Sequence, residues 1–196
     1  MRDEIAVAAA RMIAEEGLDY ATAKRKAARQ LFGDARPGYL WLPDNDQIEA
    51  EIRAWQAIFH GESQPVVLRR LREIALDWMQ RLNAFRPYLT GAVLNGTASE
   101  HSDIHLQVFC DNPKEVAIYL LNAHVQYDVS ETRHFAAHSC VETLSFLWKV
   151  SRNEMPVGIH IALYDTDDLR GAVRASACGK LSRANAQTVQ ALLAEK

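Results

Sequence analysis

One stretch of the sequence combines small, acidic and imidazole side chains at spacings that could do chemistry. Gly96 and Thr97 follow an apolar run, a short polar loop containing Ser102 comes next, and Asp103 opens a second apolar run with His105 two residues on. Side chains at positions i and i+2 of a strand point to the same face. Asp103 and His105 would therefore share one face, where a carboxylate and an imidazole could bind a divalent metal ion.

Residues 91–109, GAVLNGTASEHSDIHLQVF, resemble the signature of the polymerase-beta-type nucleotidyltransferases. In that family a strand ending in Gly-Ser or Gly-Gly is followed by a loop and by Ser-Asp-Ile-Asp-Leu, which here reads Ser-Asp-Ile-His-Leu at residues 102–106. The resemblance covers about residues 88–170 and implies a nucleotidyltransferase-like fold. It also implies that Gly96, Thr97 and Ser102 bind a nucleoside triphosphate and that Asp103 is the catalytic metal ligand.

The family's third carboxylate commonly comes from a later strand, and two segments of this chain compete for that position. Residues 157–164, VGIHIALY, place apolar side chains at alternate positions and leave His160 on the opposite face. Residues 125–129, VQYDV, directly follow a predicted helix and would supply Asp128 instead. The resemblance therefore implies a metal site of Asp103, His105 and His160, with Asp128 as the alternative to His160.

Two of the three usual carboxylate positions would thus be histidines, which changes the expected metal chemistry. Nucleotidyl transfer by two metals needs hard oxygen ligands around Mg²⁺ ions that lie about 3.5–4 Å apart. Imidazole suits Zn²⁺ or Mn²⁺ better than Mg²⁺. The resemblance implies a divalent metal, Mg²⁺ or Mn²⁺, with Zn²⁺ an option because of the histidines.

The resulting functional hypothesis is a nucleotidyltransferase-like protein that binds a nucleoside triphosphate or another small anion. If active, it would transfer a nucleotidyl group to the hydroxyl of a small molecule or a protein. Two alternatives stay open: a catalytically inactive binding module of the same fold, and a single-metal hydrolase with Asp and His ligands.

The elements that must position these residues fall into two groups. Residues 1–86 carry apolar side chains at helical spacing, interrupted by glycines, and Asp44 with Gln47 three residues later predicts the start of a helix. This indicates an N-terminal helical domain. Residues 87–196 show short apolar or alternating runs at 89–94, 104–109, 125–135, 141–150 and 157–164, with helices predicted at 113–124 and 182–194. The predicted fold class is α+β, a mixed sheet flanked by helices behind the helical domain.

Composition limits the classes of partner. The 196 residues carry a formal net charge of −3, with thirteen Lys/Arg against thirteen Asp/Glu in residues 1–86 and nine against twelve in residues 87–196. Neither part has the basic excess typical of nucleic-acid binders, so a nucleic acid is not the expected partner. Apolar runs stay well below the 18 or so residues of a membrane span. A cytoplasmic protein without a membrane segment is expected, and a homo-oligomer stays open.

Overall fold

The chain forms two compact units. A computed structural model describes residues 2–18, 20–33, 42–136, 139–172 and 182–194. One unit comprises Met1–Leu68 with Thr97–His101, and the other comprises Arg69–Gly96 with Ser102–Lys196. The sequence instead suggested a single domain boundary after residue 86, and that boundary remains a prediction.

Three helices build the core of the first unit. They are α1 (Arg2–Glu16), α2 (Tyr20–Phe32) and α3 (Asn45–Phe59). Helix α3 begins as predicted, because the Asp44 side chain accepts a hydrogen bond from the Gln47 amide and the Gln47 side chain accepts one from the Asp44 amide. The shared core contains buried alanines from α1 and α2 and isoleucines from α1 and α3, and the small alanines let the helices approach closely.

Helix α4 (Gln64–Arg81) supplies the second unit with its largest buried side chain. Trp78 is fully buried and lies against two aromatic residues of a strand, with ring centroids 4.8 Å from Phe146 and 5.0 Å from Trp148. Tilted and edge-on pairs of this kind add stabilisation beyond the apolar area that they bury. A short 3-10 turn, Asn83–Phe85, then leads to the first strand.

The second unit is built on a five-stranded mixed sheet with strand order β1-β2-β5-β4-β3. Its strands are β1 (Tyr88–Thr90), β2 (Ile104–Phe109), β3 (Asp128–Arg133), β4 (Cys140–Trp148) and β5 (Val157–Tyr164). Strands β2 and β5 are parallel, and all other neighbours are antiparallel. The helices that accompany the sheet are α5 (Gly91–Asn95), α6 (Pro113–Asn122), α7 (Leu169–Ala172) and α8 (Ala186–Ala194), with a 3-10 turn at Thr166–Asp168. The predicted α+β class with a mixed sheet and flanking helices is confirmed.

The prediction of a strand over residues 89–94 is wrong. Strand β1 ends at Thr90, Gly91 adopts a positive φ of 74°, and α5 follows at once. Gly96, with φ 86°, is the C-cap of this helix. A short apolar run has no periodicity that separates a strand from a buried helical turn, and the left-handed glycine decides between them here.

Alternation along the strands gives the sheet one apolar face and one polar face. The apolar face carries side chains such as Ile104, Leu106, Ile159 and Ile161, all essentially inaccessible to solvent. The other face, called the polar face below, is organised in two rows of residues paired across all five strands. The first row is Thr90, His105, His160, Ser145 and Asp128, and the second is Tyr88, Gln107, Ala162, Thr143 and Ser130. Among the described helices, none is both long and apolar enough to cross a membrane.

Candidate ligand site on the polar sheet face

Asp103 and His160 meet where β2 begins beside its parallel neighbour β5. Asp103 immediately precedes β2, and the register of β2 with β5 pairs His105 with His160. The Nε2 atom of His160 lies 3.1 Å from Oδ2 of Asp103, although 57 residues separate them in sequence. The acidic and imidazole side chains that the sequence singled out therefore lie together on the polar face.

His105 joins this pair by ring stacking. Its imidazole lies 4.8 Å from that of His160, measured between ring centroids, with 16° between the ring planes. Desolvation by neighbouring protein atoms is the main cause that lowers the pKa of His105, although the residue as a whole is exposed to solvent. The charge of His160 lowers the pKa further, and the charge of Asp103 opposes both. The neutral form of His105 is thereby favoured.

Ser145 on β4 is a site residue that the sequence reasoning missed. Its Oγ lies 2.8 Å from Nδ1 of His160, so the two ring nitrogens face Ser145 on one side and Asp103 on the other. This connectivity resembles that of a serine nucleophile with its base. However, β4 is paired on both sides, with Asp128 and His160 opposite Ser145, so the nearby backbone amides belong to the strand ladder and do not form an oxyanion hole. Ser145 is better explained as the residue that orients the ring.

Gly158 on β5 makes room for the Asp103 carboxylate. A Cβ atom at this position would lie only 2.6 Å from Cγ of Asp103, which no real side chain tolerates. The Gly158 amide also donates a hydrogen bond to the carboxylate. A glycine inside a strand often marks such a close approach, and this was the one signal in the sequence that could have identified Gly158.

The environment keeps Asp103 ionised. The hydrogen bond from His160 is the largest influence and holds the pKa of Asp103 below its ordinary value. Partial desolvation acts in the opposite direction, while the charges of His160 and His105 and the Gly158 amide lower the pKa further. The site thus combines a carboxylate with two imidazoles.

Of the two candidates for the third ligand position, the structure brings His160 to Asp103. Asp128 lies in the same row of the polar face, but on β3, with Ser145 of β4 between it and His160. Two strands therefore separate β3 from β2, which follows Asp103.

The structure places the three residues expected to bind a nucleotide in different local surroundings. Gly96 donates its amide to the carbonyl of Ala92 as the cap of α5, so this N–H is already used inside the protein. Thr97 is buried in the first unit, where its carbonyl accepts a hydrogen bond from the side chain of Gln56 at 2.9 Å. Ser102 is half-buried beside Asp103 in the second unit. The glycine that follows the first strand is Gly91, and a Cβ atom added to it would lie closest to the side chain of His105.

Two cavities open on the polar face. The first has a volume of about 690 Å³ and is lined by Asp103, His160, Ser145, Gly158 and residues 123–128, with Phe146, Leu147 and Trp148 at its side. This volume falls within the range of small-molecule sites. The second cavity, about 500 Å³, shares Ser145 and His160 with the first and extends along the second row of the face.

The donor set does not fit a resident two-metal centre. Asp103 is the one carboxylate in contact with the imidazoles, and within the described part of the chain no three His, Cys, Asp or Glu side chains are grouped to hold a metal ion. The proposed ligand set of Asp103, His105 and His160 therefore stays a prediction.

Comparison with known proteins gives no relative: no family model, no curated protein and no solved structure matches the chain.

Proposed function

We propose that the protein is a nucleotidyltransferase-like protein that binds a nucleoside triphosphate in the first cavity of the polar face. The observation that carries this proposal is the hydrogen bond between Asp103 and His160, which joins two distant segments at the position where the family resemblance expects metal-binding carboxylates. The proposed fold of the second unit is accordingly nucleotidyltransferase-like, within the α+β class described above.

The position of Gly91 supports the resemblance better than that of Gly96. A tight glycine turn at the end of a strand, followed by a helix, is the arrangement that lets a backbone approach a ligand closely. Gly91 occupies this place beside His105, and an added Cβ would lie 3.7 Å from the imidazole. The segment between the glycine turn and Asp103 is shorter than the family usually has when the turn is placed at Gly96, and it is longer when the turn is placed at Gly91.

The chemistry of the cavity favours binding with a single cation. Mg²⁺ commonly binds proteins through one or two carboxylates together with substrate phosphates. Asp103 could hold such a cation when it arrives with a triphosphate. The other carboxylate that lines the cavity, Asp128, lies on β3, which two strands separate from β2, whereas two adjacent ions need closely spaced carboxylates. The aromatic residue Tyr127 lines the same cavity, and an aromatic ring offers a surface for a base.

Binding can be tested by titrating each of the four nucleoside triphosphates into the protein by calorimetry, with Mg²⁺ or Mn²⁺ and with neither. We expect saturable, cation-dependent binding to at least one nucleotide and its loss in Asp103→Asn, which keeps the side-chain shape. Asp77→Asn is the matched control, because Asp77 pairs with Arg81 on an exposed helix surface. Absence of binding by all four nucleotides would overturn the proposal.

Nucleotidyl transfer is a second candidate, favoured by one observation. The hydrogen bond from His160 keeps Asp103 as a carboxylate, the form that a metal-dependent transferase requires. The test is release of pyrophosphate in the presence of hydroxyl-bearing acceptors and Mn²⁺ or Mg²⁺. If the natural protein binds the nucleotide but releases pyrophosphate no faster than Asp103→Asn does, the protein is a binding module without transferase activity.

A further inference from the structure

The second cavity of the polar face differs in chemistry from the first. Its floor consists of the small residues Ala162, Thr143 and Ser145, and larger side chains such as His105 and Tyr164 form its walls. No carboxylate is found among the described residues that line it, whereas the first cavity contains Asp103 and Asp128. Among the described lining residues, the one Lys or Arg is Arg133. Its side chain points to the opposite face of β3 from Ser130 and Thr132, because side chains alternate along a strand.

Hydroxyl groups converge on this cavity from three strands. Thr90 comes from β1, Ser130 and Thr132 from β3, and Thr143 and Ser145 from β4. Thr132 and Thr143 share one hydrogen bond of 2.7 Å between their Oγ1 atoms. Because each hydroxyl has one donor and two lone pairs, this pair keeps one proton and several lone pairs for a ligand.

The amide of Gln107 is fixed in a defined orientation at the same cavity. The Nε atom of Arg183 donates to Oε1 of Gln107 at 2.5 Å, and a guanidinium can only donate. The oxygen of the Gln107 amide must therefore face Arg183, and the NH₂ group lies on the side of Tyr164. A single NH₂ group has two protons, and the bond to the Tyr164 hydroxyl uses one of them.

We propose that this second cavity binds an uncharged, hydroxyl-rich small molecule of the size of a monosaccharide or a nucleoside. Its hydroxyls exchange hydrogen bonds with Thr132, Thr143 and the Gln107 amide. The volume of about 500 Å³ suits one such molecule. A polyanion is disfavoured here, since the inward-facing groups that the described lining supplies are hydroxyls, an amide and imidazoles. This site lies beside the proposed nucleotide site, separated from it by His160 and Ser145, and the inference does not depend on nucleotide binding.

The test is an NMR titration of protein carrying ¹³C-labelled threonine methyl groups, in the absence of any nucleotide. The probes are methyl α-D-glucopyranoside, myo-inositol and adenosine, with glucose 6-phosphate as the charged comparison. We expect at least one uncharged probe to shift the methyl signals of Thr132 and Thr143 in a saturable way, more tightly than the phosphate ester does. No shift with any of the three uncharged probes, or tighter binding of glucose 6-phosphate, would overturn the proposal.

Two matched variants distinguish recognition by hydroxyls from general surface contact. Thr143→Val keeps the shape and removes the hydroxyl, and we expect roughly threefold to tenfold weaker binding from the loss of one hydrogen bond. Thr143→Ser keeps the hydroxyl and should bind like the natural protein, as should Thr22→Val, which lies on a helix of the first unit. If Thr143→Val does not fold, Thr132→Val on the exposed edge strand gives the same comparison. Unchanged binding in a folded hydroxyl-lacking variant contradicts the assignment.

Competition with nucleotide shows whether the two cavities are separate sites. If a triphosphate binds, the uncharged probe should still bind to the loaded protein. Displacement of the probe by the nucleotide would show that one ligand fills both cavities and would overturn the inference of a separate site, while leaving the proposed nucleotide binding intact.

Discussion

The two hydrogen-bond partners of His160, Ser145 and Asp103, determine which of its ring nitrogens donates. If Nδ1 of His160 accepts a hydrogen bond from the Ser145 hydroxyl, then Nε2 carries the ring proton and donates it to Asp103. If Nδ1 instead donates to Ser145, a second proton or a cation must lie between Nε2 and the Asp103 carboxylate. A neutral ring with its lone pair facing a carboxylate would be repelled. The pair can therefore hold a proton or accept a cation at the mouth of the first cavity.

The strength of this pair can be measured by a double-mutant cycle of Asp103→Asn and His160→Gln. We expect a coupling free energy of about 0.5–1 kcal/mol in urea unfolding, since both side chains are partly exposed and solvent screens them. Asp128→Asn is the control, because Ser145 separates Asp128 from His160, and its coupling to His160→Gln should be near zero. A larger coupling to Asp128 than to Asp103 would contradict the assignment of the pair.

The lowered pKa of Asp103 predicts a pH dependence with a defined sign. A carboxyl whose folded pKa lies below its unfolded value stabilises the protein above the unfolded pKa, and this contribution is lost as the pH falls through the folded pKa. The stability difference between natural protein and Asp103→Asn should therefore be greatest near neutral pH and vanish in acid. It should stay below about 1 kcal/mol, because the Asp103 side chain is 48% exposed. Urea unfolding from about pH 7 to about pH 2 measures it, and a difference independent of pH would refute the attribution.

At the scale of secondary-structure elements, β5 contributes both an imidazole and an empty space. His160 and Gly158 lie two residues apart on one face of the strand, so one strand holds the partner of Asp103 and also the gap that Asp103 fills. A substitution of either Gly158 or His160 should therefore change the position or the hydrogen bonding of the Asp103 carboxylate.

Gly158→Ala should destabilise the protein by about 1–3 kcal/mol, the usual cost of overpacking. The added methyl group would displace the Asp103 side chain and break its bond to His160. Gly171→Ala is the matched control, since among the described residues the nearest atom to its Cβ would belong to Phe135, at 4.0 Å. Combining Gly158→Ala with Asp103→Ala should cost less than the sum of the two single changes. Full additivity in thermal or urea unfolding would show that the two residues do not compete for space.

Helix α4 and strand β4 are held together by aromatic residues on the apolar face of the sheet. Trp78→Ala should cost about 3–5 kcal/mol, as expected for a fully buried aromatic side chain. Leu147→Ala is the control on the same strand: Leu147 points away from Trp78 and is 73% exposed, so its loss should cost less than about 0.5 kcal/mol. Similar losses for the two variants in urea unfolding would contradict the assignment of the two faces.

At the scale of the whole molecule, each compact unit has a hydrophobic core of its own. The first is formed by helices α1 to α3, and the second includes Trp78 and the apolar face of the sheet. Proteins often open in cooperative units of this kind.

Hydrogen exchange followed by mass spectrometry can test this division. In Trp78→Ala, amides of β4 and β5 should exchange faster, while those of α1 to α3 should keep their natural rates, because the lost contacts belong to the second unit. The natural protein and Leu147→Ala serve as references. Equal acceleration in both units would show a single cooperative structure.

Local patterns were enough to determine much of the second unit. Strands at 104–109 and 157–164 were predicted with the bounds that the structure shows, because each alternates apolar and polar side chains with period two. The start of α3 followed from Asp44 and Gln47, which interact over three residues. These features depend on near neighbours in the chain, which a sequence displays directly.

Only the tertiary structure decided which strands are neighbours and therefore which side chains meet. The parallel pairing of β2 with β5 brings His160 to Asp103 across 57 residues, and the adjacent β4 adds Ser145 to the same row. The space left by Gly158 and the left-handed turn at Gly91 likewise have no local signature beyond the glycine itself. Contacts between distant segments depend on strand order and register, and alternation along one strand specifies neither.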